Sequence, residues 1–581
     1  MKALRRLSLV LFAVALTAFA QTDRGTITGT VTDPAGAVVA SAPLVLLNTN
    51  TGNQYQAATS ETGNYTFSQL PIGNYTLTVT VAGFKNYVHQ NLNVQAASTI
   101  REDVALEVGS AAESVTVTAE ASMLKTETAE VATNVTSARL NSLPILGVGA
   151  QTASSHGVRN PLAAAQLQTG VRFVANSVVR VNGAPNNTMA VRLDGQDITN
   201  NTAGAAFQAQ VQPSVDAVEE VAIQTSNFAA EYGQAGGGLF NYSTKSGTNK
   251  YHGGLFDYAV NEAFWASQPF NGIRPLQRRH TFGGSIGGPV RIPGVYNGKD
   301  KTFFNFNYEK FRESVKVNNV TTTVPTAAYR AGNFSGLLTG RYVPASGGTP
   351  ATTTANAMVD ALGNVIPEGG IYDPRTEQLV NGFRVRTQFV GNVIPVARFD
   401  SSAVKVQNLI PAANLGTGRV TNYLNPYQST RLTPIPSLKL DHSLSDKLKA
   451  SFYWSTNETS VAMCAQQCAS IGYADVTDPT KISVIEPTRG TFIESYTLRA
   501  NVDYTFLPTV LMHFGAGLLS NDFKDDGTTI GYDPAASLGI TGGLGGAIGR
   551  FPTFTGLAGT GASAAFGGMN QMGPGGQTRS R

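Results

Sequence analysis

The sequence predicts a mainly β chain: a small β-sandwich, then an α+β domain, then part of an antiparallel transmembrane β-barrel. Three observations carry this. Thr and Val are abundant among the 581 residues, 28 Phe and 20 Tyr accompany them, and only 14% of residues are charged, a composition suited to pleated, half-buried surfaces. Beyond the extreme N terminus no apolar run approaches the roughly 18 residues that a membrane helix needs, so a membrane crossing has to use a closed barrel, the other structure that satisfies every backbone group in lipid. Several late segments also alternate apolar and polar residues in runs of about ten, the pattern of a lipid-facing barrel strand.

Residues 1–20 read as an export signal. Lys2, Arg5 and Arg6 are a basic head, residues 7–19 a short apolar core, and Ala18-Phe19-Ala20 a small-x-small cleavage site. No cysteine follows the cleavage point, so no lipid anchor is expected there. The net charge of +4 comes without basic clusters, which argues against a nucleic-acid partner.

Residues 21–108 read as the sandwich. Gly25–Thr32 alternates cleanly and ends in the turn Asp33-Pro34-Ala35-Gly36. Short strands with turn signals between them follow, and several at this spacing make a sandwich. The stretches GTVTDPAGAVVASAPLVLLN, TGNYTF, LPIGNYTLTV and AGF closely resemble the carboxypeptidase regulatory-like domain, a transthyretin-like sandwich. That resemblance implies a folding, docking or glycan-contact role. The module carries no zinc ligands, so it implies no peptidase.

Residues 109–121 read as a linker. Within it Glu113, Ser114, Val115, Thr116, Val117, Thr118 and Ala119 resemble the TonB box of outer-membrane transporters. An extended, β-prone segment can add to a partner's sheet edge, where backbone hydrogen bonds supply much of the affinity. The competing reading is an ordinary strand leading into the next domain.

Residues 122–248 hold LNSLPIL, then Arg180-Val181-Asn182-Gly183, then VRLDGQDITN. With the stretch 215–253 they resemble the plug domain of TonB-dependent receptors. Nearest are the Oar-like proteins, which also carry a regulatory-like module in front. The resemblance implies an α+β fold filling a barrel lumen. A Gly/Ser-rich insert after Leu146 departs from the family pattern and leaves the register of Arg159-Asn160 open. Asp194 and Asp197 lack the spaced oxygen ligands of a calcium loop, so turn caps are expected. Gly236, Gly237 and Gly238 mark a close backbone approach, expected here to be against the inside of the barrel, with residues 245–249 as the hinge into its first strand.

Residues 249–581 read as the N-terminal part of the barrel. KTFFNFNYEKF and HTFGGSIGGP resemble the start of an Oar-like barrel. Leu448, Ala450, Phe452 and Trp454 alternate with Lys449, Ser451 and Tyr453. Tyr496, Leu498, Ala500 and Val502 oppose Ser495, Thr497, Arg499, Asn501 and Asp503, which would face a wet lumen. Roughly 330 residues suffice for about ten strands with loops, too few to enclose a plug. The end, GGMNQMGPGGQTRSR, lacks a terminal aromatic strand. The chain therefore reads as the N-terminal part of a longer protein, with an open sheet edge. Cys464 and Cys468 are the only cysteines, and a local disulfide is their expected use in an exported chain. No His or carboxylate lies between them to complete a metal site.

Nothing supports an enzyme or a cofactor. The six histidines are scattered, and no HExxH, nucleophile elbow or P-loop appears. The reading is a TonB-dependent receptor or transporter in the outer membrane of a Gram-negative-type bacterium. Its expected partners are a TonB-type energy-transducing protein, outer-membrane lipid and an extracellular ligand. Family analogy alone would make that ligand a glycan or oligosaccharide. The alternative is a surface adhesion or carbohydrate-binding protein anchored by a barrel.

Overall fold

The computed structural model describes residues 24–110, 113–118, 127–142, 159–174, 178–185, 188–199, 213–229, 232–233, 235–267, 274, 277–317, 321–424, 427–464, 489–507, 510–527, 533–540, 552 and 579–580. Residues 1–20, expected to be an export signal, and Cys468 lie outside them.

The first unit contains β1 (Gly25–Thr32), β2 (Pro43–Asn48), β3 (Gln54–Ala58), β4 (Asn64–Leu70), β5 (Gly73–Val79), β6 (Asn86–Val94), β7 (Thr99–Arg101), β8 (Val104–Ala105) and β9 (Ser114–Thr118). They form two sheets: β4-β1-β7 with β8 beside β1, and β3-β2-β5-β6-β9. The alternation read from β1 buries every second residue. Ile27, Val31, Leu44, Leu46, Phe67, Tyr75, Leu77 and Leu92 fill the space between the sheets, each aliphatic contributing about 1.5–3 kcal/mol relative to exposure. The Asp33 turn forms as expected: the carboxylate accepts from the N–H groups of Ala35 and Ala37, and Gly36 takes φ +81°. The sandwich does not stop at residue 108. Residues 114–118, expected in a linker, pair as the fifth strand of its larger sheet.

The middle domain contains β10 (Val131–Thr136), β11 (Val171–Val174), β12 (Val178–Val181), β13 (Met189–Leu193), β14 (Gln196–Asp197), β15 (Val218–Ser226) and β16 (Gly238–Thr244). Its sheet runs β10-β15-β16-β13-β14, with β13 parallel to β16 and the other pairs antiparallel. β11 and β12 form a separate hairpin. A short helix, Ser137–Ser142, buries Leu140. The glycine reading needs correction. A Cβ on Gly237 would stand 2.7 Å from Thr188 Oγ1 and 3.0 Å from Ala184 Cβ, and one on Gly238 would stand 3.0 Å from Val181 Cγ2. The surface these glycines approach is the domain's own β12–β13 segment, not a barrel wall.

The third unit is one sheet of eight strands: β17 (His252–Val260), β18 (Gln277–Pro289), β21 (Thr302–Val317), β26 (Tyr427–Ser443), β27 (Leu448–Cys464), β28 (Arg489–Leu507), β29 (Val510–Gly527) and β30 (Arg579–Ser580). The small pairs β19 (Arg291–Ile292) with β20 (Tyr296–Asn297), β22 (Thr321–Thr322) with β25 (Tyr423–Leu424), and β23 (Gln378–Val380) with β24 (Phe383–Val385) decorate its connections. Every neighbour in the main sheet is antiparallel, and β17 pairs only with β18 among the described residues. One end of the sheet carries short turns such as residues 444–447. The other end carries long connections, including the folded insert 321–424.

The dyad pattern predicts the two faces correctly. Tyr496, Phe514 and Leu518 face outward at 40%, 56% and 54% exposure. Ser495, Thr497, Arg499, Asn501 and Asp503 face inward and are buried, because the middle domain and the sandwich cover that face. Tyr453 of β27 joins the hydrophobic core of the middle domain, with Leu519 of β29 packed against it. Arg159 of the middle domain stacks on Phe256 and Tyr258 of β17. Strands β17 to β29 would span about 29 Å if laid flat. The middle domain touches both ends of this span, β17 through Arg159 and β29 through Leu519.

Candidate functional site

The expected coupling segment is a docked strand. β9 runs parallel to β6, with Asn86 opposite Ser114, Val88 opposite Thr116 and Gln90 opposite Thr118. Glu113 begins it: its carbonyl accepts from Asn86 N–H, and its carboxylate lies 3.7 Å from Lys85 Nζ. Ser114, Thr116 and Val117 are exposed and Val115 is half-buried. Ala119 lies outside the described residues. Behind β6, buried Tyr87 and His89 both reach Glu102 Oε1, at 2.9 and 2.6 Å, and Tyr65 donates to the Glu102 carbonyl at 2.6 Å. Burial first, and then the Glu102 charge, push both phenols well above their usual range, so they stay donors at any physiological pH. This network stiffens the strand on which β9 lies.

The middle domain is seated on the wall by buried ionic contacts that sequence reasoning did not find. Arg159 donates to Asp216 at 2.8 Å and lies 3.8 Å from Glu309 of β21. Asn141 donates to the second Asp216 oxygen at 3.0 Å and also accepts from Arg159. Ser214, which caps the turn Val215–Ala217, donates to Glu309 Oε2 at 2.6 Å. The guanidinium lies 5.1 and 4.8 Å from the Phe256 and Tyr258 ring centres. Lys439 of β26 makes a second seat, donating to the Thr244 carbonyl at 3.0 Å and lying 3.6 Å from Asp194. Asp194, at φ +46°, does not cap its own turn. It reaches across to the Thr244 N–H and hydroxyl at 2.9 and 2.5 Å. Asp197 makes the local cap expected of it, accepting from Thr199 N–H.

The sandwich sits across the short-turn end. Arg24 pairs with Asp503 of β28 at 2.6 Å, and His513 reaches the other oxygen of that carboxylate at 2.5 Å. Asn249 donates to the Thr51 carbonyl and exchanges hydrogen bonds with Asp300, and its own N–H donates to the Asn50 carbonyl. Lys449 donates to the Gln54 carbonyl and lies 4.1 Å from the centre of the Tyr55 ring. The segment expected to act as a free hinge is therefore clamped. The sandwich also holds the middle domain: Ala96 N–H donates to Glu220, and Asn134 donates to the Ala96 carbonyl. Between the three units lies a polar cavity of about 520 Å³, lined among others by Arg24, Asp194, Lys439, Asp441 and Asp503.

Arg24 and Asp503 are 479 positions apart and Arg159 and Asp216 are 57 apart. No local pattern links such pairs. Only Glu309 carried a signal, since it shares the inward face of KTFFNFNYEKF with Asn305 and Asn307. Cys464 ends β27, opposite Gln428, while its expected partner Cys468 is not among the described residues.

Comparison with known proteins adds the following. Residues 243–580 match a family described as an outer membrane beta barrel domain, and residues 26–107 match the carboxypeptidase regulatory-like domain. The TonB-dependent transporter Oar of Myxococcus xanthus is 28% identical over 329 residues, which are 53% of this chain and 29% of that relative. The chain thus spans less than a third of the curated relative that it matches. Among solved structures, the outer membrane transporter YddB from Escherichia coli is similar over 68% of this chain and 39% of its own, at 12% identity and a TM-score of 0.35. A mutant ferric enterobactin receptor from Pseudomonas aeruginosa is similar over 73% of this chain and 45% of its own, at 11% identity and a TM-score of 0.31.

Proposed function

The chain belongs to the outer membrane beta barrel domain family, and from that premise we propose that it is a TonB-dependent receptor-transporter. The long connections and the insert 321–424 capture an extracellular ligand. The middle domain is the plug, and residues 113–119 are the site at which an energy-transducing partner pulls. The observation that carries this reading is the seating of the middle domain on the inward face of the wall, from β17 to β29, through breakable polar contacts. A domain held against the wall by ion pairs blocks passage until work is done on it. The short-turn end is periplasmic under this reading, as in outer-membrane barrels generally. The partner-accessible segment and the sandwich then lie on the side from which energy arrives. That placement counts against an adhesion protein displaying the sandwich at the cell surface, because the sandwich is at the end opposite the long loops.

Deletion of residues 113–119 in the full-length receptor tests the proposal. Uptake of the receptor's ligand should fall to background while binding at the cell surface is retained. Unchanged uptake would remove this segment as the coupling site, and loss of surface binding as well would point to a folding role instead.

A further inference from the structure

We infer that the partner's strand adds to the free outer edge of β9 while β9 stays docked on β6. The sandwich as a whole, and not a loose peptide, is then the handle that is pulled. This inference rests on the reading of residues 113–119 as the coupling segment. β9 is the terminal strand of its sheet, and among the described residues no strand pairs with its far side. In a parallel ladder alternate residues direct their N–H and C=O groups to opposite sides. Docking on β6 therefore consumes one edge and leaves a row of donors and acceptors on the other. Such an edge is a ready template for another chain. The exposure of Ser114, Thr116 and Val117 keeps it accessible.

Two further features favour addition over exchange. The strand is already extended and held in register by five residue pairs with β6, so a partner that adds to it does not have to order it. A partner that peeled β9 away would first have to break that ladder, and would expose the edge of β6 beside the buried Tyr87–His89–Glu102 network. The docked arrangement also has a route for force. Tension on β9 passes into the sandwich, which holds the middle domain through Ala96–Glu220 and Asn134–Ala96, and holds the wall through Arg24–Asp503. The occupant that fits is an extended strand at the edge of a partner's own sheet, since pairing here is by backbone and tolerant of side chains.

The test uses the full chain with Val88→Cys and Thr116→Cys, which face each other across β6 and β9, in a Cys464→Ser, Cys468→Ser background. The probe is the isolated periplasmic domain of a TonB-type protein from the same genome. Addition predicts Kd values within about twofold for the oxidised, cross-linked chain and the reduced one. A loss of about tenfold or more on oxidation, reversed by reductant, would overturn the inference by showing that β9 must leave β6. Failure of the two thiols to cross-link in the folded chain would overturn it too. Absence of binding in the oxidised, reduced and parent chains alike would instead sink the coupling role of residues 113–119, and the inference with it. Hydrogen exchange on the parent chain gives a second readout without substitutions: the β6 amides of Asn86 and Val88, which face β9, stay protected when the probe is added if β9 stays, and lose protection if it departs.

Discussion

Arg159 shows how one residue joins two units. Its guanidinium is buried against Asp216 and Glu309 and lies over two rings of β17, so it neutralises carboxylates on both sides of the interface between the middle domain and the wall. Removing one partner of a buried ionic cluster typically costs about 3–5 kcal/mol, because the remaining charge is left without compensation. Arg159→Met should destabilise the seated domain by that order in chemical denaturation of the detergent-solubilised chain. Adding Glu309→Gln should recover part of the loss, because it replaces the buried acid left facing Asp216 with an amide. No recovery would mean that Arg159 acts through Asp216 alone. The sequence pointed only to the inward position of Glu309, not to its partners. A Gly/Ser-rich insert precedes Arg159, and its partners lie on segments remote from it.

At the scale of elements, local pattern was a good guide to strands and a poor one to neighbours. The span read for β1 is the span observed, because period-2 alternation decides which residues can face a core whatever that core is. The outward face of β28 was read equally well. Gly236–Gly238 shows the limit: the need for a close approach was legible, but what approaches was not. Thr188 and Ala184 fill the space beside Gly237, while nothing lies within 4 Å of a Cβ on Gly233. Gly237→Val should therefore cost about 1–3 kcal/mol by overpacking, and Gly233→Ala should be nearly neutral, both read from urea midpoints. Equal effects would show that backbone freedom, not crowding, selects glycine at position 237. The TonB-box-like segment illustrates the same limit. Its β-propensity was plain, but the parallel edge of β6, a strand more than twenty residues upstream, became its partner only through the folded sandwich.

For the whole molecule, the arrangement of three units around one polar cavity is the main structural result. The sandwich clasps the wall at Arg24–Asp503, Thr51–Asn249 and Gln54–Lys449, and it holds the middle domain at Ala96. The Arg24–Asp503 contact is a charged hydrogen bond between largely buried side chains at 2.6 Å, in a class that contributes roughly 1.5–3 kcal/mol. Arg24→Ala should loosen the sandwich from the short-turn end without unfolding it. Faster hydrogen exchange at residues 50–52 and 249 with unchanged exchange in β1 and β2 would be the signature. Equal acceleration throughout the sandwich would assign Arg24 to the stability of that domain instead.

The sequence by itself determined the class of every unit. Strand periodicity, turn residues and the absence of a membrane-length apolar run are local properties, and they dictate a sandwich, an α+β domain and an amphipathic antiparallel sheet wherever those units end up. It also located the segment on which the proposed coupling depends. Only the tertiary structure decided that this segment is a docked edge strand, that the polar face of the wall is covered by the other two units, and that Arg159 and Arg24 tie the units together. Those outcomes turn on which charges and strand edges meet across hundreds of residues. Such meetings are set by the packing of complete surfaces, and no period or spacing within a segment records them.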